Sequence, residues 1–99
     1  MVTTVPRADR LLLAISIAYR SPGDDVWFQS RVMNISETGV LFGPTSLEAG
    51  ALVEVMFAAP VPIGSMAAGQ RVCAGAVVRT TETGAAGTRF DTCRFVLEP

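Results

Sequence analysis

The pattern that most constrains the fold of this chain is a strict alternation of residue types between positions 11 and 19. The odd positions carry leucine, isoleucine and tyrosine, whereas the even positions between them carry leucine, alanine and serine. Successive side chains of a β-strand point to opposite faces, so a period of two predicts a strand with one face in a core. The alternation therefore predicts a β-strand at the start of the folded domain.

Five more apolar runs of strand length follow, and clusters of turn-forming residues separate them. Glycine and proline in these clusters end the strands. Several short strands without a long helical pattern predict an antiparallel all-β domain, and closure into a barrel would remove its exposed edges. We expect a six-stranded antiparallel β-barrel with little or no helix. The six predicted strands are 11–19, 26–35, 40–42, 51–58, 71–81 and 88–97.

The length of the chain allows one domain. It has 99 residues, of which 49% are hydrophobic, enough for one core. Residues 1–10 are polar and irregular, and we expect them to form a flexible, arginine-containing leader before a barrel domain at 11–99. The apolar run of the first strand is too short to span a bilayer and short for a signal peptide, which favours a cytoplasmic protein without membrane insertion over an exported one.

Composition argues against several classes of function. The chain has no histidine, which removes the commonest general base. Its two cysteines cannot by themselves complete a zinc site. No nucleophile–base pair is evident, so we expect neither an enzyme nor a bound cofactor. Cys73 and Cys93 are interpreted as free thiols in a reducing cytoplasm. A net charge of −1, without lysine, argues against a nucleic-acid partner.

Residues 34–39, with the sequence NISETG, connect the second and third predicted strands. Gly39 is expected to provide a positive φ for the turn. Asn34 and Ser36 offer polar groups to a ligand, although such residues often bond their own turn backbone instead. Glu37 would repel a phosphate if its side chain pointed to the same side.

Two ordered signatures give the chain a resemblance to the PilZ domain family. The family has an Arg-x-x-x-Arg segment, often with a second adjacent arginine, before its first strand, and an Asp/Asn-x-Ser-x-x-Gly segment between its second and third strands. Asn34, Ser36 and Gly39 match the second signature. Arg7 and Arg10 match two arginines of the first, whereas Pro6 stands where its initial arginine is expected.

The resemblance implies a barrel of the split-barrel type that binds the second messenger cyclic di-GMP. The ligand-binding residues that it implies are Arg7, Arg10, Asn34, Ser36 and Gly39. Guanidinium groups pair with phosphates and with guanine edges, and the amide and hydroxyl groups add hydrogen bonds. Arg7 and Arg10 have a simpler interpretation as solvated charges of the leader, one of them paired with Asp9.

The implied role is that of a bacterial receptor that signals through contact with a protein effector. Family targets include motility, pilus and exopolysaccharide machinery. The alternative is a degenerate PilZ-like adaptor that binds no nucleotide and acts only through protein contacts, which Pro6 favours. Trp27 is predicted to pack rather than to stack on a base. The remaining arginines are predicted to be surface charges, with Arg79 or Arg89 able to lie near the ligand: Arg31, Arg71, Arg79, Arg89 and Arg94.

Overall fold

The computed structural model describes residues 15–96, and within that range the regular secondary structure is entirely β-strand. All six predicted strands are confirmed, with ends that differ from the prediction by a few residues. The arginine-containing leader and residues 11–14 of the first predicted strand lie outside the described residues. The strands are β1 (Ser16–Arg20), β2 (Phe28–Ser36), β3 (Gly39–Gly43), β4 (Leu52–Ala59), β5 (Gly69–Thr80) and β6 (Ala86–Phe95).

The six strands form a closed antiparallel barrel in the order β1-β2-β3-β6-β5-β4, with β4 paired to β1. The predicted fold class is therefore confirmed. The seam between β3 and β6 is short, since it runs only from the pair Gly39–Arg89 to the pair Phe42–Ala86. Closure pairs the strand edges that an open sheet would expose, and this short seam completes it.

The interior of the barrel is filled by the apolar face of each strand. Ile15 and Ile17 are buried and Ser16 between them is exposed, as the alternation predicted. Phe42 and Val53 are fully buried from other sides of the barrel. No helix among residues 15–96 has the length and apolar character needed to cross a membrane.

The turn between β2 and β3 lies at one end of the barrel. The described chain also begins there, because the Ile15 carbonyl accepts a hydrogen bond from Val32 N at 2.9 Å. The connection from β4 to β5 meets the same turn, where Ser65 N donates to the Glu37 carboxylate at 2.6 Å. Ile15, the first described residue, therefore lies beside the strand that leads into the NISETG turn.

The two cysteines are not free thiols, and that prediction is wrong. Cys73 and Cys93 form a disulfide between β5 and β6. They are directly opposite each other in the antiparallel pairing, which brings the two sulfur atoms together. This register depends on the fold and could not be derived from a separation of 20 residues.

Arg71 is a second correction, since it is not a surface charge. Only 6% of the residue is exposed, because β5 directs it inward opposite Phe57. Its guanidinium donates to the Ala67 carbonyl at 2.5 Å and lies 4.3 Å from the centre of the Phe95 ring. The Phe95 ring face and the Ala67 carbonyl thus stabilise the Arg71 charge, which would otherwise be buried without a partner. 

Trp27 packs against protein, as predicted. Its half-buried ring lies 4.3 Å beneath the Arg20 guanidinium. The same guanidinium donates to the Glu54 carboxylate at 2.8 Å. This face of the indole is therefore occupied by Arg20 and is not open to a base.

Candidate functional site

A groove of about 220 Å³ on the outer wall of the barrel brings together three predicted site residues. Asn34, Ser36 and Gly39 all line it, so residues chosen from a sequence motif share one surface. The opposite side of the groove is formed by Arg79 on β5 and Gly87 on β6. The sequence left Arg79 as one of two arginines able to lie near the ligand and did not predict that Gly87 contributes to this site.

The strand register explains why these residues meet. Asn34 pairs with Leu41, Leu41 with Gly87, and Gly87 with Arg79, which makes one continuous row across four strands. A β-bulge at Met33 precedes Asn34, and another at Val78 precedes Arg79. Bulges change the direction of the side chains that follow them and are common beside functional sites. Both ends of the row are therefore positioned by a bulge.

Gly39 has a different role from the one predicted. Its φ is not positive, and it belongs to β3 as an ordinary extended residue, so the predicted left-handed turn conformation is wrong. Glycine is required there because a Cβ would lie inside van der Waals contact with the Thr88 carbonyl oxygen. β3 and β6 approach too closely at this point to admit a side chain.

Ser36 and Asn34 differ in how their polar groups are used. The Ser36 hydroxyl accepts a hydrogen bond from Thr38 N at 3.2 Å and lies 3.1 Å from the Thr38 hydroxyl. The simpler interpretation, a side chain that bonds its own turn, is thus confirmed for Ser36. Asn34 is exposed, and its amide makes no hydrogen bond to any residue in 15–96. Its donor and acceptor are both available to a ligand.

Glu37 is directed away from the groove. Its carboxylate accepts the hydrogen bond from Ser65 N and packs against Gly64, whose φ is +60°. Neither Glu37 nor Gly64 lines the groove. The Glu37 carboxylate therefore does not point at a ligand in the groove, and the groove lining contains no carboxylate.

Arg79 and Arg89, either of which could lie near the ligand, have different surroundings. Arg89 is next to the groove and its Nε lies 3.7 Å from an Asp91 carboxylate oxygen, with both side chains exposed. Arg79 lines the groove itself and has no ion pair with any of residues 15–96. Both remain surface charges, as predicted, but only Arg79 offers an unpaired guanidinium to this site.

Arg7 and Arg10 lie outside the described residues. Arg10 precedes Ile15 by five positions, and Ile15 is bonded to Val32, two residues before Asn34 in β2. An extended chain covers at most about 3.5 Å per residue, so five residues can span roughly 17 Å.

A second groove of about 300 Å³ lies on the β1–β2 side of the wall and is lined by Ser16, Gln29 and Arg31 among others. None of the predicted ligand-binding residues lines it. Within residues 15–96 no group of three or more histidine, cysteine, aspartate or glutamate side chains could hold a metal ion. The first groove is therefore the candidate site.

Comparison with known proteins identifies no relative of this chain: no family model matches it, and no curated protein or solved structure matches it significantly. The resemblance to the PilZ family therefore depends on the sequence signatures alone.

Proposed function

We propose that this protein is a receptor for cyclic di-GMP that signals through contact with a protein effector. The observation that carries the proposal is the convergence of Asn34, Ser36 and Gly39 with Arg79 in one groove that contains no carboxylate. A groove with a cation and without a counter-charge favours an anionic ligand. The family resemblance supplies the identity of that ligand.

The chemistry of the groove suits a purine dinucleotide. The Asn34 amide has both a donor and an acceptor and can address a guanine edge, while the Arg79 fork can pair with a phosphate. Leu41 and Val78 add apolar surface beside these groups, on which a base can lie. Gly39 contributes space, because it presents no side chain to the ligand.

The leader completes the proposed site. Arg7 and Arg10 add two guanidinium groups, and a ligand in the groove would order the leader across the outer wall. This ordering changes the surface that the barrel presents to a protein effector of motility, pilus or exopolysaccharide machinery. The proposed role requires no catalytic group and no cofactor.

Isothermal titration calorimetry of the full chain with cyclic di-GMP tests the proposal. We expect saturable binding, and we expect Arg10→Ala to weaken it by more than tenfold, which corresponds to about 1.4 kcal/mol. Arg31→Ala is the matched control, because Arg31 is an exposed arginine that lines the second groove instead. Equal affinity of a folded Arg10→Ala variant would refute the role of the leader, and absence of binding to the wild-type chain would refute the proposed function.

A second candidate function is the adaptor that binds no nucleotide. Pro6 in place of the first motif arginine favours it, and so does apolar surface on the outer wall, where Leu52 is 64% exposed and Val78 is 52% exposed. Thermal melting separates the two functions. A ligand at 100 times its Kd stabilises a protein by about 2.7 kcal/mol, so an unchanged melting temperature at high cyclic di-GMP would favour the adaptor.

The proposed receptor is cytoplasmic, because its ligand is an intracellular second messenger. Disulfides such as Cys73–Cys93 persist more often in oxidising compartments than in the cytoplasm. Cell fractionation combined with thiol labelling of Cys93, which is the exposed partner, tests the location and the redox state together. Recovery of the protein only from an exported fraction would contradict the cytoplasmic assignment.

A further inference from the structure

We propose that a protein partner adds an extended, acidic segment as a further strand to the exposed edge of β6. This docking site rests on the protein contact of the proposed function, which the receptor and the adaptor share, and it requires no bound nucleotide. The site is the second half of the strand, residues 91–95, here called the β6 edge.

Beyond Phe90, β6 has a neighbouring strand on one side only. Its pairing with β3 ends at Arg89, and on that side Phe90 N donates one further hydrogen bond, to the Thr38 carbonyl at 2.9 Å. Its pairing with β5 continues to Phe95. In the part of the chain that the structure describes, no strand covers the other side of residues 91–95. Such an edge can accept an extended peptide by strand addition.

The antiparallel ladder points the backbone groups of alternate residues at this edge. Val96 N donates to the Gln70 carbonyl of β5 at 2.9 Å, and residues of an antiparallel strand bond alternately to one side and the other. The Cα atoms of Cys93 and Cys73 are 4.0 Å apart, as in the close, non-hydrogen-bonded type of pair. Cys93 and Phe95 therefore present two N–H and two C=O groups to a partner strand.

The β6 edge is exposed and is held in place without a partner. All five of its residues are exposed, and Phe95 is 50% exposed. The disulfide from Cys93 to Cys73 joins the centre of the edge to β5, and the Phe95 ring lies on the Arg71 guanidinium. An edge that is ordered in advance loses less conformational freedom on binding.

The charges around the β6 edge favour an acidic partner. Arg94 is exposed, and no carboxylate among residues 15–96 pairs with it. Arg71 likewise has no ion pair in this range, and its buried Nε has no hydrogen-bond partner there. The single carboxylate of the edge, Asp91, lies 3.7 Å from Arg89 Nε. Acidic side chains opposite Arg94 would therefore form favourable cross-strand pairs.

A second copy of this chain fits the edge less well. Antiparallel pairing of two β6 edges would bring the same arginines together, and the one carboxylate that each edge carries is already beside Arg89. Like charges across a strand pair are destabilising, and charged side chains on an edge commonly protect it from self-association. Charge complementarity therefore favours an acidic partner over a copy of the same strand.

Amide hydrogen exchange of the full chain, measured by NMR, tests whether the edge is open. We expect the amides of Cys93 and Phe95 to exchange at least tenfold faster than those of Thr92 and Arg94, which bond to β5. Sedimentation should show a monomer. Slow exchange at Cys93 and Phe95 in a monomer would mean that the chain covers its own edge, and slow exchange in a dimer would mean that a second copy does. Either result would overturn the proposal.

A capped synthetic nonapeptide of alternating valine and glutamate is the probe for strand addition. Directly opposite residues of an antiparallel pair share a face, so the valines would lie opposite Cys93 and Phe95 and the glutamates opposite Arg94. We expect saturable binding that slows exchange at Cys93 and Phe95. N-methylation of the valines, whose N–H groups would face β6, should abolish binding, whereas N-methylation of the glutamates should not. No binding, or equal losses from the two modifications, would overturn strand addition.

Reversal of one charge tests the chemistry of the partner. Arg94→Glu should weaken binding of this peptide at least tenfold and should favour the matching peptide of valine and lysine. Arg31→Glu, the same change at an exposed arginine of β2, is the matched control and should change affinity less than twofold. Equal effects of the two variants would overturn the role of Arg94.

Titration with cyclic di-GMP separates this inference from the proposed function. A chain that binds the nucleotide but not the peptide would overturn the β6 edge as the docking site and leave the receptor intact. A chain that binds the peptide but not the nucleotide would overturn the receptor and support the β6 edge as the contact of the adaptor.

Discussion

Replacement of the motif glycine by alanine, Gly39→Ala, tests whether the fold requires glycine at this position. The added Cβ would press on the Thr88 carbonyl oxygen, while its next neighbours, Thr88 C at 3.4 Å and Arg89 Cα at 3.5 Å, are at ordinary distances. The obstructing atom belongs to the backbone, so no side-chain rotation can relieve the contact. β3 and β6 must move apart instead.

The expected loss of stability in Gly39→Ala depends on where β3 and β6 have to move apart. Overpacking a well-filled site costs about 1–3 kcal/mol, and we expect the upper half of that range because backbone has to move. The substitution also falls on the last residue pair of the short β3–β6 seam that closes the barrel. A domain of this size shifts its melting temperature by about 5 °C for each kcal/mol, so the expected loss is roughly 10–15 °C.

Differential scanning calorimetry without ligand measures this loss, and Gly87→Ala is the matched control. The control also adds one methyl group to a glycine of the same seam, but its Cβ meets only the flexible Arg79 side chain. We expect its free energy of unfolding to stay within about 0.5 kcal/mol of wild type. Equal melting temperatures for the two variants would refute the argument that backbone contact makes glycine necessary at position 39.

Three other substitutions or treatments have defined outcomes. Thr88→Val should raise the free energy of unfolding by about 1 kcal/mol in urea denaturation, because the buried Thr88 hydroxyl has no hydrogen-bond partner among residues 15–96; a destabilised variant would show that the hydroxyl is satisfied. Reduction of the Cys73–Cys93 disulfide should lower the free energy of unfolding by about 3 kcal/mol, because the disulfide closes a loop with a sequence separation of 20. Thiol titration of the unfolded chain should detect two thiols only after reduction. Gly64→Ala should destabilise by at least about 1 kcal/mol, because φ is +60° and the new Cβ meets the Glu37 carboxylate; part of this loss should disappear in a Glu37→Ala background, and purely additive effects would contradict the contact.

The candidate site shows how far local patterns reach. Asn34 and Ser36 were identified from a six-residue motif, and the structure places both in one groove. Arg79 was left as one of two possible neighbours, because its position depends on the Val78 bulge and on the pairing of β5 with β6. No local signal distinguishes a bulge from a regular strand when the residues are valine and arginine.

The incorrect predictions have the same origin. Free thiols, a positive φ at Gly39 and an exposed Arg71 were each inferred from a residue and its immediate neighbours. Each outcome depends on a residue that is distant in sequence: Cys93 for the disulfide, Thr88 for the glycine, and Phe57 and Phe95 for the arginine.

The amino-acid sequence by itself determined the number, type and approximate bounds of the strands, because alternation and turn chemistry act between neighbouring residues. It also identified the NISETG segment as the turn that carries candidate polar groups. Only the tertiary structure decided which strands lie side by side, in what register, and therefore which side chains share a surface. The bulges in β2 and β5 shift the register, and a shift of one residue exchanges the inner and outer faces of a strand.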